Sequence, residues 1–379
     1  MKPVVIAGYL RSPFTPAFKG ELAKTRSDEM AAQVIRALIK QTKVKPEHIE
    51  DIIMGCAFPE AEQGFNVGRL VGFLADMPLS VAGMTINRFC GSSMQSIHIA
   101  AGAIQMGAGD IFICAGLESM SHVPMTGYNP LPHPELYGRY PQAYIGMGET
   151  AENVAKKYKI DRNAQDAFAV ESHKKAAAAQ KAGKLKGEIA PIKTATGTIS
   201  EDGCIRPETT LETLSGLKPA FNEKGSVTAG TSSPLTDGAA ATLVCSLEYA
   251  EKHGLTPLAI VKSFAVSGCA PEIMGIGPVG ATNKALERAG LKLADIDIIE
   301  LNEAFSAQSL AVIHDLKADV SKINLDGGAI ALGHPLGATG ARITGKAASL
   351  LVREKAKYAL ATQCIGGGQG IATILEAVK

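Results

Sequence analysis

An order of helix and strand near the start of this chain recurs near its end, and this repeat restricts the fold more than any other feature. In each copy a helical pattern of apolar residues is followed by a short apolar strand and then by Ala-Phe. The matching segments are 30–39, 49–53 and Ala57-Phe58 in the first copy, and 283–289, 296–299 and Ala304-Phe305 in the second. Each copy ends on a further apolar strand, at 111–115 and at 359–362. We interpret the chain as two copies of one α/β unit.

Short, continuous apolar strands alternate with helices in both copies. This alternation predicts the α/β class, with mostly parallel buried strands and right-handed crossovers. The residues from about 119 to 244 have a different texture, because a proline-rich stretch is followed there by a Lys- and Ala-rich helical stretch. Asp161 is a suitable N-cap for a helix in this segment. Long insertions in compact proteins usually serve function, so we expect this one to have a functional role.

Length and composition limit the class of protein. With 379 residues the chain should form two or three domains, and its 46% hydrophobic and 20% charged residues are typical of globular proteins. No apolar run has the length of a membrane span, and Met1 leads into an apolar strand without room for a signal peptide. Seven cysteines, an odd number, indicate a reducing compartment. These features predict a cytoplasmic protein.

The charge of the chain is nearly balanced but unevenly distributed. A formal net charge of +1 argues against nucleic-acid binding, whereas residues 156–224 carry 13 Lys and Arg against 9 Asp and Glu. Two explanations of this basic stretch stay open. It is either a solvated helical face or a surface that attracts a phosphate-bearing substrate.

Cys90 lies where an apolar segment, Met84 to Ile86, gives way to an amphipathic run typical of a helix. Unpaired backbone N–H groups at a helix N-terminus favour the thiolate, which is the form that attacks carbonyl carbon. A lone cysteine is, however, more often a small buried apolar residue. Two further segments favour the nucleophile.

His334 and Cys364 both stand in glycine-rich segments at the ends of predicted elements. His334 follows Gly333 in a stretch with few bulky side chains, and Cys364 ends an apolar strand just before three consecutive glycines. Two thiols and an imidazole at element ends make a plausible set of nucleophile, base and acid. The sequence has no closely spaced Cys-x-x-Cys or His-x-x-His pair, so it predicts no metal site.

Four spaced motifs carry a resemblance to a known family. They are Cys90-Gly91-Ser92-Ser93, Asn302-Glu303-Ala304-Phe305, Gly333-His334-Pro335 and Cys364-Ile365-Gly366-Gly367-Gly368, in this order. The chain resembles the thiolases, the acyl-CoA C-acyltransferase family. The resemblance implies duplicated α/β halves in a five-layer αβαβα sandwich with an inserted loop domain. It implies a first half at 1–118 plus 245–265, a loop domain covering coenzyme A at 119–244, and a second half at 266–379.

The resemblance also implies a mechanism. Cys90 would attack C3 of a 3-ketoacyl thioester and retain the shortened acyl group, while His334 would take protons from Cys90 and from coenzyme A. Cys364 would protonate C2. The N–H groups of Cys90 and Gly366 would form one oxyanion hole, and His334 with a water held by Asn302 would form the other. From the residues alone, Asn302 could be a turn or cap residue, and Glu303 either a support for the site or an ordinary acid at a helix start.

Coenzyme A is implied as a co-substrate, with no permanently bound cofactor. Family positions that contact it are matched by Arg206 and Phe221 around the adenine and phosphate end, by Ala229, Ser233 and Phe305 along the pantetheine, and by Met147 beside the acyl pocket. Ser233 could instead be a simple turn residue, and Phe305 a core residue.

Two local features bear on the substrate. Ser121-His122-Val123-Pro124-Met125 resembles the degradative thiolases of fatty-acid β-oxidation, and Gly146 stands where biosynthetic acetoacetyl-CoA thiolases have a histidine before Met-Gly. We therefore expect thiolytic cleavage of 3-ketoacyl-CoA to acetyl-CoA and a shortened acyl-CoA, with condensation of two acetyl-CoA as the alternative. The presence of a second thiol, Cys364, argues against a ketoacyl synthase. All four motifs are present, which argues against an inactive lipid carrier. The resemblance further implies a homodimer or homotetramer, with other β-oxidation enzymes as candidate partners.

Overall fold

The computed structural model describes residues 2–378, so Met1 and Lys379, the outer limits of the predicted domains, lie outside it. Within these residues the strands are β1 (Val4–Arg11), β2 (Thr15–Pro16), β3 (Asp51–Gly55), β4 (Ala82–Ile86), β5 (Ile111–Ser119), β6 (Ile192–Thr194), β7 (Gly197–Ile199), β8 (Thr236–Ser246), β9 (Ala259–Gly268), β10 (Ile298–Leu301), β11 (Tyr358–Ile365) and β12 (Gln369–Glu376). The helices are α1 (Ser27–Thr42), α2 (Val67–Leu74), α3 (Ser92–Met106), α4 (Pro134–Arg139), α5 (Met147–Tyr158), α6 (Arg162–Lys181), α7 (Leu211–Ser215), α8 (Leu247–His253), α9 (Gly277–Ala289), α10 (Ser306–Leu316), α11 (Ala329–Leu332) and α12 (Leu336–Glu354).

The strand order reproduces the repeat seen in the sequence. The strands follow one another as β10-β11-β12-β9-β1-β8-β5-β3-β4, with β2 paired to β8. In the first half β1 pairs with β8 and β8 with β5, both antiparallel, and β5 then pairs in parallel with β3. In the second half β9, β12, β11 and β10 repeat these directions in the same order. The predicted duplication of one α/β unit is therefore confirmed.

The expectation of mostly parallel strands was wrong. Antiparallel pairs join β1, β8 and β5 in one half and β9, β12 and β11 in the other. The reason is clearest between β11 and β12, which are connected only by Gly366-Gly367-Gly368, with positive φ at Gly367 (78°) and Gly368 (80°). A connection this short can only reverse the chain, because a parallel neighbour needs a crossover of a dozen residues or more.

Side chains of alternate strand residues pack against different helical layers. Leu360 faces a core cluster built with α9 and α10, whereas Ala359 and Ala361 face one built with α12. In the first half Val5 faces α1 and Val4 faces α3. Helices α3 and α12 thus form the central layer between the two halves, and α1 and α9 cover the outer faces. This arrangement confirms the five-layer αβαβα sandwich.

Pairing in the sheet bears on the predicted end of the inserted segment and on the piece assigned to the first half after it. The limit at 244 falls inside β8, which pairs with β1 and β5 along most of its length. The piece 245–265 was placed in the first half, but β9 pairs with β12 at eight positions and with β1 only through Val5 and Ile6. An alanine-rich strand such as β8 carries little apolar signal of its own. Only its neighbours identify it as a central strand.

Buried ion pairs hold the inserted segment to both halves. Arg11 on β1 contacts Asp202 (Nη1 to Oδ1, 2.6 Å) and Glu188 (Nη2 to Oε1, 2.8 Å), both in the insertion. Lys346 on α12 also reaches Glu188, with its Nζ 2.7 Å from Oε2. Removing one partner of such a network by substitution would leave an uncompensated buried charge. The ion pairs therefore hold the insertion against both β1 of the first half and α12 of the second half. None of the helices within residues 2–378 has the length and hydropathy needed to cross a bilayer.

Candidate active site

Cys90 lies in the short helical turn that leads into α3, two residues before the helix begins at Ser92. Its carbonyl oxygen accepts a hydrogen bond from the Gln363 side chain on β11. The loop of the first half is therefore fastened to a strand of the second half. The predicted position at a helix N-terminus is confirmed.

The sulfur of Cys90 is held by backbone donors but is not acidic. The N–H groups of Gly366 and of Cys90 itself donate to it, and they lower its pKa. Burial acts more strongly in the opposite direction, the negative charge of Glu118 adds to burial, and together they raise the pKa of Cys90 to about 12. The backbone N–H groups thus favour the thiolate as expected, but burial and the charge of Glu118 outweigh them in the free protein. A base must remove the proton.

His334 is the candidate for that base. Its Nδ1 lies 2.6 Å from Oγ1 of Thr339, and the Asn302 amide Nδ2 lies 3.4 Å from its Nε2. Asn302 Nδ2 can only donate, so Nε2 is the acceptor and Nδ1–H donates to Thr339. Burial, with the charge of Arg342, lowers the pKa of His334 to about 3. The imidazole is neutral near pH 7, with its basic nitrogen turned toward Asn302.

Asn302 itself is buried at the end of β10, where its N–H donates to the carbonyl of Thr362 at 3.0 Å. Its Oδ1 is buried and has no hydrogen-bond partner within residues 2–378. A buried carbonyl oxygen without a partner is rare and indicates a position for water or ligand. This geometry suits the predicted water held by Asn302 and argues against a simple turn residue.

Cys364 lies next to the last residue of β11 and is only 1% exposed. It packs in a cluster with Phe305, Met147 and Met274. Burial raises the pKa of Cys364 well above its usual value, and the charge of a Cys90 thiolate raises it further, so the two thiols lie within electrostatic reach. A Cβ added at Gly366 would lie 3.4 Å from the Met147 sulfur. The structure thus brings Cys90, Gly366, Met147, Cys364 and Phe305 together.

The predicted coenzyme A contacts divide into two groups. The ring of Phe221 meets that of Phe305 edge to face at 5.9 Å between centroids, and the N–H of Ser233 donates to the carbonyl of Ala304, next to Phe305, at 3.0 Å. Ala229 lies in the same loop as Ser233 and is exposed. Arg206 is also exposed, and its backbone N–H contacts His173 of α6 rather than the Phe305 cluster. Phe221, Ser233 and Phe305 therefore adjoin the thiols, while Arg206 lies on the α6 side.

Glu303, whose role the sequence left open, supports the site. It is 2% exposed and lies before the start of α10 at Ser306. Its carboxylate accepts hydrogen bonds from Ser172 Oγ of α6 and from Asn324 Nδ2, each at 2.6 Å, and from the N–H of Ile330 at 3.3 Å. It therefore ties the insertion to the segment that leads to His334.

Sequence reasoning missed Glu118, Gln363 and Thr339. The acidic Glu118 stands near the end of an otherwise apolar strand, and this was the one signal that could have identified it. Nothing in the sequence distinguishes Gln363 from the motif around its neighbour Cys364. Thr339 likewise has no feature that sets it apart from other residues of a helix. Within residues 2–378 no group of three or more His, Cys, Asp or Glu side chains is placed to bind a metal ion.

Comparisons with known proteins agree with this arrangement. The family model "Thiolase, N-terminal domain" matches residues 4–248 and "Thiolase, C-terminal domain" matches residues 255–377. The chain is 46% identical to a 3-ketoacyl-CoA thiolase of Bacillus subtilis (strain 168), over 99% of this chain and 100% of that protein. It is 48% identical to a 3-ketoacyl-CoA thiolase of Idiomarina loihiensis, over 100% of both chains.

A solved structure, human mitochondrial 3-ketoacyl-CoA thiolase in complex with CoA, superposes with a TM-score of 0.92 at 40% identity, covering 100% of this chain and 98% of that one. The match spans both halves, the insertion and all four motifs. The chain belongs to the thiolase family.

Proposed function

We propose that the protein catalyses the thiolytic cleavage of 3-ketoacyl-CoA by coenzyme A, giving acetyl-CoA and a shortened acyl-CoA. The observation that carries this proposal is the combination of Cys90, held by two N–H groups, with the neutral imidazole of His334 and the buried thiol of Cys364. One such thiol can carry an acyl group while the other transfers a proton. The printed names of relatives at 46% and 48% identity support the same reaction.

The first half-reaction breaks the C2–C3 bond. His334 Nε2 takes the proton of Cys90, and the sulfur forms a bond to C3 of the ketone. The N–H groups of Cys90 and Gly366 stabilise the resulting oxyanion, a contribution that is typically worth about 3 kcal/mol for each donor. The C2–C3 bond then breaks, its electron pair moves to C2, and the Cys364 thiol protonates C2. Acetyl-CoA leaves, and the shortened acyl group stays on Cys90.

The second half-reaction restores the enzyme. The proton on His334 passes to the Cys364 thiolate, and His334 then takes the proton of incoming coenzyme A. The thiolate of coenzyme A attacks the acyl carbon, the bond to Cys90 breaks, and the Cys90 sulfur recovers a proton from His334. Because the imidazole is neutral before each transfer, it can act as base twice in one cycle.

The enolate formed at the thioester of the leaving acetyl-CoA needs its own donors. His334, once protonated, presents an Nε2–H, and a water that donates to Asn302 Oδ1 can donate its other proton to the enolate oxygen. The unpartnered Oδ1 of Asn302 supports this assignment. Coenzyme A acts as a dissociable co-substrate, with Phe221, Ser233 and Phe305 along its length and the basic insertion near its phosphates.

The degradative reaction is favoured over condensation of two acetyl-CoA by the space at Gly146. This glycine caps α5 directly before Met147, and a Cβ built on it would meet no atom within 4 Å. Each methylene buried there would contribute about 0.8 kcal/mol, so three would improve binding by roughly 2 kcal/mol. Gly146 is exposed, and we propose that the acyl chain covers this open space beside Met147, which suits chains longer than acetoacetyl.

A thiolysis assay across 3-ketoacyl-CoA chain lengths tests the proposal. We expect kcat/KM to rise from acetoacetyl-CoA to medium chains by about tenfold or more. Gly146→His should reduce this preference, while Gly138→His, at a glycine that is equally unobstructed but lies in α4, should not. A marked preference of the wild type for acetoacetyl-CoA would favour the biosynthetic reaction.

We also propose a homodimer formed through the edge strand β4. Within residues 2–378 this strand ends the sheet order and pairs only with β3, and its residues are exposed or half-buried. Leu79 (79% exposed) lies just before it in sequence, and Phe65 (96%) precedes α2, the helix that packs beside β4. Exposed strand edges with apolar neighbours favour association. A reducing, cytoplasmic location is supported by seven cysteines that are all unpaired.

A further inference from the structure

Glu118 is a buried carboxylate for which the reaction above gives no role. It lies next to the last residue of β5 and is 1% exposed. Among residues 2–378 no Lys or Arg forms an ion pair with it, although Arg11 and Arg342 each pair with other buried acids. Burying a carboxylate without a cation is costly unless hydrogen bonds replace its hydration. The positions of the hydrogen-bond donors around Glu118 therefore indicate its role.

Four N–H groups surround the carboxylate. Oε2 accepts from the backbone N–H groups of Ala57 (2.8 Å) and Gly337 (2.9 Å), and Oε1 accepts from the backbone N–H of Phe58 (3.2 Å) and from Gln63 Nε2 (2.8 Å). Each oxygen thus has two N–H donors, and Oε1 also accepts from the Cys56 thiol (3.7 Å), so a proton on either oxygen would displace a donor. Burial raises the pKa of Glu118, and the hydrogen bonds from these four donors act in the opposite direction and favour the ionised form.

These donors come from two parts of the candidate active site, which we call its walls: the residues beside Cys90 and the residues beside His334. Ala57 and Phe58 belong to the cluster against which Cys90 packs, together with Leu336. Gly337 follows Leu336 in the first turn of the 19-residue helix α12, three residues after His334. The positive end of the α12 dipole points at the carboxylate, which adds to the attraction. A single side chain therefore joins the wall of Cys90 in the first half to the start of the helix that follows His334 in the second half.

We propose that Glu118 is a positioning residue that sets the placement of His334 relative to Cys90 across the junction of the two halves. This proposal rests on the proposed roles of Cys90 and His334. The charge of Glu118 has a second consequence, because it opposes ionisation of Cys90. The resting nucleophile stays a thiol until His334 removes its proton, and the carboxylate thereby limits unproductive reactions of the thiolate.

Two substitutions separate placement from charge. Glu118→Gln keeps the length but loses the charge and turns an amide NH2 toward one pair of N–H donors. We expect kcat to fall by about tenfold to a hundredfold, the usual effect of a small misplacement of catalytic groups. The KM for coenzyme A should change little. Alkylation of Cys90 by iodoacetamide at fixed pH should become severalfold faster, because the opposing charge is gone.

Glu118→Asp keeps the charge but is one methylene too short to reach both walls. It should lower kcat while leaving the alkylation rate of Cys90 as in the wild type. Glu300→Gln is the matched control, since Glu300 is also 1% exposed but bonds to Arg342 instead of the site walls. It should leave the alkylation rate unchanged. A merely structural role for Glu118 would move none of these alkylation rates.

The proposal is overturned if Glu118→Gln keeps wild-type kcat, or if it lowers kcat without changing the alkylation rate. Should Glu118→Gln fail to fold, Gln63→Leu decides, because it removes one donor from the carboxylate without changing the carboxylate itself. We expect a lower kcat with unchanged KM for coenzyme A, and wild-type kcat would refute the proposal. Absence of alkylation at Cys90 in the wild type would instead refute the proposed function.

Discussion

At the scale of single residues, Cys90 differs from the five buried thiols in access rather than in acidity. Burial raises the pKa of Cys90, Cys204 and Cys245 alike to about 12. Cys90 and Cys269 are partly exposed, whereas the other five thiols are buried. We expect iodoacetamide to label Cys90 ahead of the buried thiols, and acyl-CoA to protect Cys90 but not Cys269, as peptide mapping would show. First labelling of Cys114 or Cys245 would contradict the assignment.

The two active-site thiols should be separable by substitution. If Cys364 moves the C2 proton while Cys90 carries the acyl group, Cys364→Ala should still form an acyl-enzyme from acyl-CoA. Exchange of the C2 hydrogens of acetyl-CoA with deuterated water should slow by about a hundredfold or more, the usual contribution of a general acid or base. Cys269→Ala is the control and should exchange normally. Normal exchange in Cys364→Ala would show that another group moves the proton.

At the scale of elements, the crossing of α3 and α12 depends on the absence of a side chain at Gly340. A Cβ there would lie 2.2 Å from the backbone nitrogen of Met94, and the N–H of Ala341 donates to Ser93 Oγ at 2.8 Å in the same crossing. Gly340→Ala should therefore destabilise the protein by about 3 kcal/mol. Gly102→Ala on α3 meets no atom within 4 Å and should stabilise by about 0.5 to 1 kcal/mol. Urea denaturation measures both, and equal effects would contradict the close crossing.

His98 couples α3 to β12 and makes stability depend on pH. Its Nε2 lies 2.8 Å from Thr373 Oγ1, its ring stacks on Phe264, and burial lowers its pKa to about 3. The unfolded chain binds a proton at this residue below about pH 6.5, whereas the folded chain does not until near pH 3, so stability is lost as pH falls. His98→Gln cannot titrate. Its loss of stability between pH 7 and pH 5 should be smaller than that of the wild type by about 2 kcal/mol, and an identical loss would refute this.

At the scale of the whole molecule, the exposed β4 edge predicts that the protein is at least a dimer. Sedimentation at micromolar concentration should show a particle larger than the 39.5 kDa chain. Leu79→Asp, near β4, should weaken association. Val320→Asp (Val320 is 59% exposed), near β10 at the other end of the sheet order, should not. A stable and active wild-type monomer would exclude the proposed dimer.

The local content of the sequence was enough for the elements and for the identity of the reactive groups. Periodicity predicted the duplicated α/β unit, and short motifs singled out Cys90 and Cys364, which lie within electrostatic reach of each other, and His334, which contacts Asn302. Asp161 caps α6 as expected, with its carboxylate accepting from the N–H of Ala164. These features depend on residues a few positions apart, so a single sequence carries them.

Strand direction, the limits of the insertion and the ionisation of the site were decided only by the tertiary structure. Whether β8 is a central strand depends on pairing with β1 and β5, which are distant in sequence. The pKa of Cys90 depends on burial and on Glu118, whose carboxylate is in turn held by Gly337, 219 residues further along the chain. The local sequence determines which reactive groups the chain carries. Their pKa values depend on burial and on charges that are close in space but distant in sequence. The sequence alone therefore predicted a nucleophile, and the folded structure decided that it rests as a thiol.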